Sequence, residues 1–267
     1  MMTAALVPPP ARPVRRHRGF GLVVHQVWYE QLSFWRNPQS AIFTFAFPVV
    51  FVTVIGALLA GGGRSSYFGG LSALQYYVPT IAVLSVLGSC YGQLTVALAL
   101  RRQNGMLKRV RATPLPAWAY FAGLLAHCVV VSFIDVALIG GIGRLYGVPL
   151  PSNWFAIAIT LLLGAGCFCG LGVGVASVIA NADAAPAVAQ LTLFPLLFIS
   201  GTYLPIHSQM LNRVAGWLPV RPFNEALMGP LALHTGPDWK HLAVVATWGC
   251  AGAVIGMRRF RWTPSSR

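Results

Sequence analysis

Charge is what this sequence has least of. Only 9% of its 267 residues are Asp, Glu, Lys or Arg, and just 5 are acidic, where a water-soluble domain carries roughly a quarter charged residues. A chain this poor in charge points to lipid. The charges are also clustered, leaving uncharged runs at 37–63, 65–100, 112–134, 145–182, 184–212 and 241–257. All but the last exceed the ~18 apolar residues that mark a spanning helix. That last run, 17 residues long, reaches about 25 Å at 1.5 Å per residue, and its flanking Lys240 and Arg258 extend it by snorkelling.

Other absences narrow the function. There is no Gly-x-x-x-x-Gly-Lys-Ser/Thr phosphate loop, so the chain does not hydrolyse ATP by that route. Paired carboxylates within the spans and inverted repeats, the marks of a proton-driven secondary transporter, are missing as well. The first apolar run starts near Ala41, is too long for a signal peptide, and is followed by no small-residue cleavage pattern. Residues 1–19, with Pro8, Pro9, Pro10, Pro13, Arg15, Arg16 and Arg18, read as a disordered cytoplasmic tail that meets anionic headgroups. The five cysteines, Cys90, Cys128, Cys167, Cys169 and Cys250, all fall inside predicted spans. Cys167 and Cys169 point about 200° apart on a helix, so neither a disulfide nor a metal site is expected.

What is present is a basic balance of +14. Its distribution argues against nucleic acid. Arg12, Arg15, Arg16, Arg18 and Arg36 precede the first run; Arg101, Arg102, Lys108, Arg109 and Arg111 lie between the second and third; Arg258, Arg259, Arg261 and Arg267 follow the last. If six helices alternate, these 14 of the 19 basic residues share one side, and the richer side is the cytoplasm. Both termini are then cytoplasmic, and residues 258–267 form a second basic tail.

The expected architecture is an all-α membrane protein with spans at about 41–60, 76–100, 117–140, 154–180, 186–205 and 241–257. Before them, Phe20, Val23, Val24, Val27, Trp28, Leu32 and Trp35 recur at helical spacing, with His25, Gln26, Glu30 and Ser33 on the other face. This predicts an amphipathic interfacial helix over 20–35. Gly88 and Gly92, and likewise Gly166, Gly170 and Gly174, form small faces that serve close helix packing or a dimer interface. Pro186 opens the fifth span, Pro195 kinks it, and Asp183 is its expected cap. Between the last two spans, Leu211, Val214, Trp217 and Leu218 are apolar while Pro219, Pro222 and Pro230 break any long helix. A short re-entrant or interfacial pair at the outer surface is expected there, a lining for an outer gate.

Two segments carry chemistry. The run 101–116 holds five cations within eleven residues, together with Met106, Leu107 and Val110. Charge alone fits simple anchoring of two helices; the apolar residues fit a small amphipathic helix that docks in a partner's groove. Asp135 is the charged residue clearly inside a span, at a cost of roughly 2.5–3.5 kcal/mol. It is read either as protonated or solvated near the outer surface, or as a cation site or a proton relay with His127. The two are eight residues apart and about 80° out of line.

The run from Asn104 and Gly105 through Met106, Leu107, Lys108, Arg109, Val110, Arg111, Ala112, Thr113 and Pro114 to Leu115 resembles the cytoplasmic loop of type 2 ABC transporter permeases, particularly the daunorubicin-resistance-type drug exporters. That family carries a Gly-Thr-Leu-x-x-Leu-x-x-Thr-Pro-like pattern after its second span. A second stretch is similar to the family's signature from span 5 into the re-entrant segment: Phe194-Pro195, Ser200-Gly201-Thr202-Tyr203-Leu204-Pro205, Trp217-Leu218-Pro219 and Pro222-Phe223. Both stretches occur in the family's order within a matching six-span layout.

The resemblance implies a coupling helix at Arg102, Asn104, Gly105, Met106, Leu107, Lys108, Arg109 and Arg111, seated in a separate nucleotide-binding ATPase subunit. It also implies an outer gate at Gly201, Tyr203, Pro205, Trp217, Pro219, Pro222, Phe223 and Glu225. ATP and Mg would be held by the partner, with no cofactor on this chain, and a second permease copy would complete the pathway. Where the family commonly has an acidic residue just before the glycine, this chain has Gln103-Asn104. The implied activity is export of an amphiphile, a drug, natural product or lipid-linked molecule, with lipid-linked polysaccharide as the rival substrate. An intramembrane lipid-modifying enzyme built on Asp135 and His127 is the alternative of a different class.

Overall fold

The structure is a computed structural model that describes residues 19–59, 63, 68, 70–200 and 209–259, apart from the side chains of Gly19, Leu211, Met257 and Arg259. All regular structure in the described residues is helical. The N-terminal helix α1 (Gly19–Trp35) is followed by α2 (Pro38–Leu59). Next come α3 (Ala73–Leu87), a π segment (Gly88–Gln93) and α4 (Leu94–Gln103), one continuous rod. A short α5 (Met106–Arg111) leads into α6 (Ala117–Leu145) and α7 (Trp154–Val178). After α8 (Ala185–Ile199), α9 (Gln209–Trp217) and α10 (Val220–Met228) form a short pair, and α11 (Trp239–Arg259) ends the described chain.

Local signals start these helices where hydropathy alone left a margin of a few residues. Ser72 and Gln75 form a capping box: the Ser72 hydroxyl accepts from the Gln75 backbone N–H (3.2 Å) and the Gln75 amide oxygen accepts from the Ser72 N–H (3.0 Å). The Asn153 side chain caps α7 by accepting from Ala156 N–H at 3.0 Å. Ahead of α8 the cap is Asn181, whose side chain accepts from the Asp183 N–H (3.0 Å). This corrects the expectation that Asp183 would cap; Asn181 wins because the chain makes a 3₁₀ turn (Ala182–Ala184) before the helix.

Five helices are long and apolar enough to cross a membrane: α2, the α3–α4 rod, α6, α7, and the stretch 182–199 containing α8. The rod and α7 are the centre, 67% and 61% buried, whereas α2 and α8 are only 22% and 28% buried. Helices this apolar with so little protein cover need a non-aqueous surrounding.

One end of the bundle gathers the basic loop. Arg102, 6% exposed, donates to the carbonyl oxygens of Ala176 (3.1 Å) and Ile179. It thereby satisfies acceptors that the C-terminus of α7 leaves unpaired. The Gln103 side chain accepts from Ala182 N–H (2.8 Å). The ends of α4 and α7 and the start of α8 therefore lie together, as alternating spans require.

Helix α11 lies parallel to α7 and in constant register. A Cβ on Gly249 would stand 2.9 Å from Cys167 Cα, one on Gly252 2.7 Å from Leu171 N, and one on Gly256 2.8 Å from Val173 Cγ1. Backbone touches backbone along this seam, which is what small residues permit in lipid. Of the predicted glycine faces, Gly170 joins the seam, where a Cβ would stand 2.8 Å from Gly249 O, while Gly88 and Gly166 have open space at the Cβ position.

Helix α1 inverts the usual amphipathic logic. Gln26 and Glu30 are buried against the bundle, while Phe20, Trp28 and Trp35 are 80%, 70% and 52% exposed. Gln26 packs on Gly123 of α6, where any Cβ would collide with it. An apolar exterior over a polar interior suits a helix lying at a membrane boundary.

Candidate functional site

The π segment organises the interior. Its widened turn sends three neighbouring side chains to different helices: Cys90 toward α6 and α7, Tyr91 to the Thr192 hydroxyl of α8, and Gln93 to Thr44 of α2 (2.8 Å). Such π turns occur often at functional sites. Beside it opens a cavity of about 660 Å³ between α1, α2, the rod, α6 and α8. Its polar lining includes Glu30, Asn37, Gln93, Arg101, His127 and Gln190.

Glu30 and Arg101 make a bidentate ion pair across this cavity, at 2.8 and 2.6 Å. Arg101 also donates to the Tyr120 hydroxyl (3.0 Å), and Gln26 donates to Glu30 (2.9 Å). The cluster ties α1 to the end of α4 and the start of α6. The sequence puts Glu30 on the polar face of an amphipathic helix, and no periodicity reveals a partner 71 residues away. His127 packs edge-on against Phe34 (5.4 Å), and its Nδ1 has no hydrogen-bond partner among the described residues.

Beyond α4 the chain reverses at Gly105, whose φ of +69° favours glycine. Leu107 of α5 is fully buried in the main core, while Asn104, Met106, Lys108, Arg109 and Arg111 are exposed. The apolar face anticipated for a partner is thus divided: Leu107 fixes α5 to its own bundle, and Met106 stands outward at 42% exposure amid the cations. Arg102, expected in the same docking set, is turned inward onto α7.

At the opposite end, α10 buries Val220, Pro222, Phe223, Ala226 and Leu227. Phe223 faces Gly164 and lies edge-on to Phe168 at 5.3 Å. Gly164 is ten residues into α7, about 15 Å along its axis. Pro219 is buried, and Trp217 is 76% exposed while its carbonyl accepts from Trp248 Nε1 (2.7 Å). Glu225 receives Arg221 Nε (2.7 Å) and His241 Nε2 (2.8 Å), and His241 Nδ1 meets Asp238 (2.7 Å). This clasp joins α10 to α11. Burial raises the Asp238 carboxyl, but hydrogen bonds from the His241 side chain and backbone outweigh it and hold the carboxyl below its ordinary value. Gly201, Tyr203 and Pro205 lie outside the described residues.

Asp135 is 1% exposed and faces Ser85, with Oδ2 making no hydrogen bond among the described residues. This corrects the reading of a carboxyl solvated near the surface: α3 covers it. It does not meet His127, which points to the cavity.

A bundle of apolar helices with lipid-suited walls, a partly polar open cavity and a small basic helix at one end defines a multi-pass membrane protein. The sequence profile of the "ABC-2 type transporter" family matches residues 22–231. The chain belongs to this family of membrane permeases. It is also similar to "Putative transport permease YvfS" of Bacillus subtilis (strain 168), 23% identical over 177 residues, 65% of this chain and 71% of that one.

Proposed function

We propose that the chain is the permease subunit of an ATP-driven exporter, with six spans, cytoplasmic termini, and ATP hydrolysis supplied by a separate nucleotide-binding subunit. The observation that carries this reading is the α4–Gly105–α5 turn. Leu107 and Arg102 lock it to the bundle from within, and Asn104, Met106, Lys108, Arg109 and Arg111 face outward. A push on that exposed face is transmitted to α4, α7 and, through Arg101 and Glu30, to α1.

The remaining parts fit the same cycle. Helix α11, in register with α7, serves as the sixth span. The α9–α10 pair, reaching to Gly164, acts as the re-entrant outer gate, and its clasp opens when the bundles tilt. The thinly covered α2 and α8 support pairing with a second permease copy. The cavity, polar at Arg101 and His127 and bordered by apolar helices, suits an amphiphile's headgroup. A drug or natural product of the kind handled by daunorubicin-resistance-type exporters is the leading substrate, and a lipid-linked glycan is the second. The intramembrane enzyme reading loses ground because Asp135 and His127 do not converge.

The test is co-expression with a candidate nucleotide-binding ATPase subunit from the same cell. The double variant Met106→Glu/Arg109→Glu is expected to abolish permease-stimulated ATPase while the permease keeps its unfolding temperature. Undiminished stimulation refutes the coupling role.

A further inference from the structure

The π segment, α6 and α7 each direct one cysteine to a common point. The Sγ atoms of Cys90, Cys128 and Cys169 all lie within 4.8 Å of one another. The three residues are 0%, 4% and 5% exposed. The three sulfurs come from three different elements, so tertiary packing alone brings them together. Cys167, two residues from Cys169, is buried apart from them.

We infer that Cys90, Cys128 and Cys169 form a binding site for one soft monovalent cation of the cuprous class. The donors are three sulfurs, with no His, Asp or Glu in the group. That set selects a thiophilic ion over the hard, oxygen-seeking cations. It also disfavours zinc, which takes four ligands in structural sites. Outer contacts orient the trio: the Ser132 hydroxyl is 3.3 Å from Cys90 Sγ and donates to Cys128 O (2.8 Å), and Ser89 Oγ is 3.8 Å from Cys90 Sγ. Hydroxyls so placed tune ligand geometry and affinity.

Access and charge both close. Cys128 and Ser89 border the 660 Å³ cavity, so an entering ion meets Cys128 first. The ion binds thiolate sulfur, so each sulfur that coordinates it releases its proton toward the cavity. The first release leaves the charge of the site unchanged, one positive charge gained and one lost. The bound ion pins the π turn to α6 and α7.

The full chain, purified in detergent with its thiols reduced and oxygen excluded, is titrated with copper(I) against a chromophoric copper(I) chelator. One ion per chain is expected, with a near-ultraviolet sulfur-to-copper band, a raised unfolding temperature and three sulfur neighbours by X-ray absorption. Cys128→Ser is expected to weaken binding about a hundredfold or more, and the double variant Cys167→Ala/Cys250→Ala to leave it intact. Absence of binding, uptake unaffected by Cys128→Ser, or a two-sulfur or oxygen-bound copper overturns the assignment. If Cys128→Ser does not fold, the coordination number measured on the unaltered chain decides.

Discussion

Replacing Glu30 by glutamine removes the anionic half of the pair that holds α1 to the α4 end. Glu30 is 3% exposed and Arg101 21%, and the contact is bidentate. Breaking a buried pair by removing one partner costs about 3–5 kcal/mol. The partial exposure of Arg101, its surviving bond to Tyr120 and the residual hydrogen bonding of glutamine reduce this to about 2–3 kcal/mol. For a chain of this length each kcal/mol moves the unfolding temperature by roughly 2–4 °C, so a fall of about 5–10 °C is expected. The assay is thermal unfolding of purified protein, run as a double-mutant cycle with Arg101→Gln. Coupling of about 1.5 kcal/mol or more is expected from residues in direct contact. Strictly additive effects, or an unchanged transition in Glu30→Gln, refute the idea that this pair fastens α1.

Three further outcomes follow from the geometry. Gly252→Ala drives a Cβ into the α7 backbone and is expected to lose about 1–3 kcal/mol, whereas Gly166→Ala, with open space, should leave the unfolding temperature in place. Arg102→Met strips two carbonyls at the end of α7 of a charged donor and is expected to cost about 2–3 kcal/mol, seen as faster hydrogen exchange at 175–179. Asp238, held below the ordinary carboxylate range, stabilises the clasp between α10 and α11 fully above that range and loses the contribution as pH falls through its lower folded value. The stability gap between wild type and Asp238→Asn should therefore shrink on acidification, and a widening gap would contradict the clasp.

Much of the helix layout was legible because hydropathy and charge are one-dimensional properties. Runs without charge mark where apolar helices fit, five of which are long and apolar enough to cross a membrane, and Gly105 with the prolines after it marked the turn and the short helix. Orientation around each axis was harder to read. In lipid the usual rule that apolar faces point inward fails, so periodicity does not tell which face of α1 meets the bundle, and Leu107, expected to meet a partner, is buried in its own core.

By itself the sequence determined that this is a multi-helix membrane chain with a basic end, since lipid rejects unpaired charge and unpaired backbone wherever they occur. Only the tertiary structure decided which polar groups meet. Glu30 with Arg101, Arg102 with the end of α7, and Cys90 with Cys128 and Cys169 are each separated by tens of residues. They are joined by helix rotation and register, which depend on backbone contacts such as the glycine seam of α7 and α11 and on the extra residue of the π turn.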